Sequence, residues 1–185
     1  MNRSNHYEAA FEAYLRERRL CYIAVSESRR SLFDDGSVKS LDFIVYGAGE
    51  ARLLVDVKGR RFPGTCRGKP RWTWETWTMS DDAAGLERWV DRFGHGFVGL
   101  LVFMYDLGAE VELPADVEDL WEFRERRYLI RAVDITDYRR HLRVRSPRWG
   151  TVHLPRSVFQ SVVKPFRAFA EPVPETVGSH AVDPF

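Results

Sequence analysis

Tyr7, Ala10, Phe11, Tyr14 and Leu15 recur at i, i+3, i+4, i+7 and i+8, positions that 3.6 residues per turn bring into one apolar stripe. The spacing predicts an amphipathic helix from near Asn5 to the Arg18-Arg19 pair, and Asn5 with Glu8 three residues on forms a capping-box pattern. Residues 20–25 read as a buried strand. After a polar segment, residues 40–46 form a second strand, Gly47-Ala48-Gly49 a turn and residues 52–58 a third strand, so the last two are expected to pair as a hairpin. Ser80 or Asp81 caps a helix reaching about Phe93, with Ala84, Trp89 and Val90 toward a sheet and Gly94 closing its end. Residues 97–105 are almost wholly apolar, as in a strand buried on both faces. Residues 128–134 predict a further strand, and residues 157–169 a helix broken or bent at Pro165. The order helix, strand, strand, strand, helix, strand implies an α/β fold with a mixed sheet flanked by helices.

The 185 residues, 44% of them apolar, suit a single domain over 1–170 with a core at about 5–105, a basic extension at about 123–170 and a disordered tail at 171–185. No apolar run approaches the roughly 20 residues needed to span a bilayer, so the expectation is a cytoplasmic protein with no membrane partner. Cys21 and Cys66 make neither a disulfide framework nor a zinc knuckle.

A net charge of +1 conceals segregation. Seven acids and no base fall between Asp106 and Glu122, whereas residues 123–169 hold twelve bases against three acids, a balance of +9. A second basic cluster (Lys58, Arg60, Arg61, Arg67, Lys69, Arg71) runs through a loop into Trp72, Trp74 and Trp77. Bases interleaved with aromatics suit a phosphate backbone with stackable bases, and Arg60, Arg61, Arg67, Lys69, Arg71, Trp72 and Trp74 are the nucleic-acid-binding candidates. The alternative is that the arginines pair with the acidic segment and the tryptophans pack as strand core.

Candidate chemistry lies in the predicted hairpin. Side chains alternate along a strand, so Asp56 and Lys58 share a face. A turn at residues 47–49 brings Asp42 close to Asp56, and Glu8 at the edge of the helical stripe can reach past the seam toward both. Three converging carboxylates repel unless a cation neutralises them, and hard oxygen donors favour Mg²⁺ or Mn²⁺ over zinc. Lys58 beside them could hold or activate water, or balance charge developing on a phosphate. Each residue also has a plain structural role open to it: Glu8 as a cap, Asp42 at a strand start, Asp56 with Lys58 as a surface pair.

On Glu8, Leu41-Asp42-Phe43 and Asp56-Val57-Lys58, in that order over residues 5–105, the chain resembles the PD-(D/E)xK nuclease superfamily, with a helix-to-strand spacing similar to that of archaeal Holliday-junction resolvases. His6-Tyr7-Glu8-Ala9-Ala10-Phe11-Glu12 also fits H-Y-E-x-A-F-E, the string of a family of uncharacterised bacterial proteins. Leu41 stands where the superfamily motif has Pro, and Asp56 where Glu is commoner. The resemblance implies a restriction-endonuclease-like core of order αβββαβ and metal-dependent hydrolysis of phosphodiester bonds in DNA, less often RNA. By it, Glu8, Asp42, Asp56 and the Val57 carbonyl would carry Mg²⁺ or Mn²⁺ and Lys58 would assist catalysis, with His6 and Lys39 as accessory candidates and a homodimer as the assembled form. The competing functions are a nucleic-acid-binding module of the same fold without catalysis and a protein-interaction domain.

Overall fold

The computed structural model describes residues 5–25, 31–33, 36–38 and 41–171. Its centre is a seven-stranded mixed sheet. The strands are β1 (Cys21–Ala24), β2 (Phe43–Tyr46), β3 (Arg52–Phe62), β4 (Phe97–Leu107), β5 (Leu120–Phe123), β6 (Arg126–Asp134) and β7 (Lys164–Pro165). Their spatial order is β1-β2-β3-β4-β6-β5, with β7 also on β6. Only β3 and β4 run parallel. A parallel pair needs a crossover, and helix α2 (Ser80–Phe93) supplies it.

Side-chain alternation divides the core into two layers. On one face Val55, Val57, Val102, Met104 and Ile130 meet Phe11 and Tyr14 of helix α1 (His6–Glu17) together with Phe166. On the other, Leu54, Leu101, Phe103 and Leu129 meet Leu86 of α2, Tyr138 of helix α3 (Ile135–His141) and Phe159 of helix α4 (Arg156–Val162). Gly59 on β3 is set by this packing: a Cβ there would run into the Tyr7 ring of α1, so the helix lies close against the strand because the position has no side chain.

The α1 boundaries, the β2–β3 hairpin, β4 with its buried run from Gly99 to Tyr105, and the Gly94 cap follow the sequence pattern. Other elements depart from it. Strand β1 is not buried: among the described residues it pairs only with β2, Cys21 is exposed and Ile23 is 51% exposed. Strand β3 continues to Phe62, so Arg60 and Arg61 belong to a strand rather than a loop, and residues beyond them form a small ribbon (Gly64–Cys66 with Lys69–Arg71). Ser80 is the first helical residue of α2, not its cap; Trp89 and Val90 pack against the sheet as expected, but the fully buried positions are Asp82, Ala83, Gly85 and Leu86, with Ala84 less covered. Residues 157–169 are not one bent helix. Pro165 lies in β7, and a short helix α5 (Arg167–Ala170) follows, because Pro165 offers no N–H to a helix but tolerates a strand edge.

The basic segment is no appendage. Strand β6 lies inside the sheet, and Arg131 is 1% exposed with its Nη1 donating to the carbonyls of Glu118 and Ile130. The acidic segment is likewise drawn in: Asp119 is buried, accepting from the Tyr14 hydroxyl at 2.7 Å and the Arg167 N–H at 2.8 Å. The tail beyond Glu171 lies outside the described residues. Among the described residues no helix is long and apolar enough to cross a membrane.

Candidate active site

Strands β2 and β3 pair in antiparallel register with Phe43 opposite Val55. Asp42, one residue before β2, continues the ladder by donating its N–H to the Val55 carbonyl at 2.9 Å, which sets it across from Asp56. Its Oδ2 accepts the Val57 N–H at 2.7 Å. Asp42, Asp56, Lys58 and Glu8 are all buried. Burial, then the charge of Asp56 and more weakly that of Glu8, push the Asp42 carboxyl up to about 8, against the Val57 N–H and Lys58, which pull it down.

Lys58 Nζ lies 2.8 Å from Asp56 Oδ2, as the D-x-K spacing on one strand face predicts. It lies still closer, 2.6 Å, to Asp82 Oδ2 on α2. Sequence reading passed over Asp82. The available signal was an acid in the first turn of a helix whose Ala83 and Leu86 neighbours are apolar and face inward. Thr78 Oγ1 also approaches Asp82 Oδ2, at 3.4 Å. Burial by itself disfavours the ammonium, but Asp56 and Asp82 outweigh it, and the lysine pKa stands above its ordinary value. Lys58 is therefore a fixed cation at neutral pH and unsuited to accept a proton.

Glu8 approaches from α1. Its Oε1 accepts from the Asn5 side-chain amide at 2.8 Å, while the Asn5 side chain accepts the Tyr7 N–H as the helix cap. The contact with the capping Asn5 thus coexists with a charge effect of Glu8 on Asp42. Among the described residues no three His, Cys, Asp or Glu side chains converge closely enough to hold a metal ion as they stand. His6, two residues before Glu8, turns to Tyr128, its Nδ1 2.9 Å from the hydroxyl, and burial followed by Arg126 holds its pKa below the usual histidine value. Lys39 lies outside the described residues.

The nucleic-acid candidates divide by exposure. Arg61, Arg67, Lys69, Arg71 and Trp72 are exposed. Trp74 is half-buried and stacked on Phe62 with ring centres 3.6 Å apart. Arg60 is buried with its guanidinium 3.9 Å from the Trp77 ring centre, so it supports the site from within rather than presenting a surface charge.

No family model matches this chain, and no curated protein does. A solved structure that is similar is that of Hjc, a Holliday junction resolvase from the archaeal hyperthermophile Archaeoglobus fulgidus. It shares 13% identity over 85% of this chain and 92% of that chain, at a TM-score of 0.47.

Proposed function

We propose that the protein is a Mg²⁺- or Mn²⁺-dependent nuclease that hydrolyses phosphodiester bonds in DNA, with Asp42, Asp56 and Lys58 as its centre. The observation that carries the reading is the facing pair Asp42 and Asp56 with Lys58 against Asp56. A buried carboxyl pushed up to about 8, first by burial and then by a second carboxylate, is an arrangement short of positive charge. A hard divalent cation fits it in kind, because every donor nearby is oxygen. Asp42, Asp56 and the Val57 carbonyl would hold the ion, and Glu8 would join from α1. Bound there, the ion would polarise a phosphoryl oxygen and lower the pKa of water.

The chain's own residues do the rest. The Val57 N–H orients Asp42 through Oδ2. Lys58, kept charged by Asp56 and Asp82, stabilises negative charge as it develops on the phosphate and holds water by donation. Asp82 positions Lys58 and makes no contact with substrate in this scheme.

The test is incubation of purified protein with branched, duplex and single-stranded DNA in Mg²⁺ or Mn²⁺. Cleavage by wild type that is lost in Asp56→Ala and Lys58→Ala supports the reading; absence of cleavage, or equal cleavage by the variants, removes it. A second reading, a DNA-binding module without catalysis, is favoured by one observation: among the described residues no three potential ligands converge as they stand. It predicts salt-dependent DNA binding without turnover.

A further inference from the structure

The face of β3 that bears Asp56 and Lys58 continues to Arg60, roughly 7 Å beyond Lys58 at about 3.3 Å per residue. Arg60 makes no ion pair among the described residues. Its Nη1 donates to the Gly59 carbonyl at 2.6 Å, its Nη2 to the Trp77 carbonyl, and its Nε is buried without a partner. The Arg145 guanidinium lies over the same Trp77 ring, 5.2 Å from its centre. Trp77 Nε1 in turn donates to Glu75 Oε2 at 3.0 Å. Two arginines and a carboxylate are thus organised around one indole, with Arg60 two residues beyond Lys58 on the proposed catalytic face.

Beyond them opens a cavity of about 260 Å³ lined by Arg71, Trp74, Glu75, Arg145, His153 and Arg156, among others. Among the described residues Glu75 is its single acid, and it is shared: Arg145 Nη2 lies 3.3 Å and Arg71 Nη1 3.6 Å from its Oε1. Arg156 is exposed and makes no ion pair among the described residues. One carboxylate facing three guanidiniums leaves the cavity short of negative charge, and the planar guanidinium fork matches phosphate oxygens. The volume falls just under the roughly 300 to 1,000 Å³ of ordinary ligand pockets, which suits one nucleotide rather than a dinucleotide cofactor. The lining also includes apolar surface from Trp74, Leu154 and Pro155. A second, smaller cavity of about 50 Å³ shares Thr73, Trp74 and Arg156 and leads to Trp72, which is 57% exposed at the foot of the ribbon bearing Arg67 and Lys69. Basic side chains beside one exposed indole, Trp72, and one half-buried indole, Trp74, suit a strand whose bases are unpaired.

We propose that the cavity accepts one unpaired nucleotide of a nucleic-acid strand, its phosphate held by Arg145 and Arg156 and its base against Trp74. The placing of that nucleotide beside a cleavage centre rests on the nuclease reading; the binding itself does not.

The experiment measures binding of a short fluorescent single-stranded oligodeoxynucleotide to the full chain in EDTA, so that cleavage cannot intervene. Arg156→Ala, at an exposed position that spares the fold, and Arg145→Ala are each expected to weaken binding about tenfold, the loss of one charge-assisted contact. Unlabelled mononucleotide and fully paired duplex are expected to compete poorly. Unchanged affinity in Arg156→Ala overturns the proposal, as does a mononucleotide that competes as well as the strand, which would mark a site for free nucleotide. Cleavage in Mg²⁺ by wild type against Asp56→Ala is run beside it. Intact cleavage with variant-insensitive binding discards the cavity alone, and variant-sensitive binding without cleavage discards the nuclease alone.

Discussion

Lys58 Nζ lies 2.6 Å from Asp82 Oδ2, closer than its 2.8 Å to Asp56 on its own strand. The lysine thus joins β3 to the first turn of α2, and two carboxylates share one buried cation. Such a cluster is stable only while the cation is present, because each carboxylate left behind would be buried without compensation.

Lys58→Met is therefore expected to destabilise the metal-free protein by about 3 kcal/mol or more, although it adds apolar surface at the same volume. Asp82→Asn, which keeps a hydrogen-bonding group, is expected to cost about 1 to 2 kcal/mol. Urea unfolding at pH 7 in EDTA measures both; a Met variant as stable as wild type would show that the pair contributes nothing to the fold.

The Asp42 carboxyl is expected to make stability fall with rising pH. In the unfolded chain it ionises near its model value of 3.8, while in the folded protein it stays protonated up to about 8. Between those values the folded state binds the extra proton, so stability is greatest below the unfolded value and is lost as pH rises toward the folded one. Asp42→Asn removes the charge and still accepts the Val57 N–H. Thermal melts in EDTA at pH 5 and pH 8 should show the variant ahead of wild type by about 4 °C or more at pH 8 and by less at pH 5. An equal offset at both values would contradict the assignment.

Metal ion should act in the same place. Millimolar Mn²⁺ is expected to raise the wild-type Tm through selective binding to the folded state and to leave that of Asp56→Asn unmoved. Equal shifts in the two proteins would locate the ion elsewhere.

Gly59→Ala tests whether the α1 approach matters to the site. The added methyl meets the Tyr7 ring, so that ring, or the helix that carries it and Glu8, has to shift away from β3. The expected cost is about 1 to 3 kcal/mol, accompanied by a smaller Mn²⁺-induced rise in Tm. Full Mn²⁺ response in a destabilised Gly59→Ala protein would separate Glu8 from ion binding.

How much was legible varies residue by residue. Asp56 and Lys58 were readable because a strand's period of two is local, and Asp42 because a short turn leaves the hairpin register little freedom. Asp82 was not, since its proximity to Lys58 depends on how α2 packs after the crossover. Arg60 and Arg131 read as surface bases from charge alone, yet both are buried, one against Trp77 and the other among backbone carbonyls. Nothing in a one-dimensional charge count distinguishes a guanidinium with partners from one in solvent.

The sequence by itself determined the α1 stripe, the β2–β3 hairpin and the doubly buried β4, because 3.6-residue and two-residue periodicities and turn residues act over a few positions. Tertiary structure alone decided that β6, from the basic segment, belongs inside the sheet, that Asp119 leaves the acidic segment to meet Tyr14 and Arg167, and that Asp82 reaches Lys58. Those contacts join residues far apart in the chain. Which of many such pairings forms is settled by the burial of the whole apolar sheet and by the need to give each buried charge a partner.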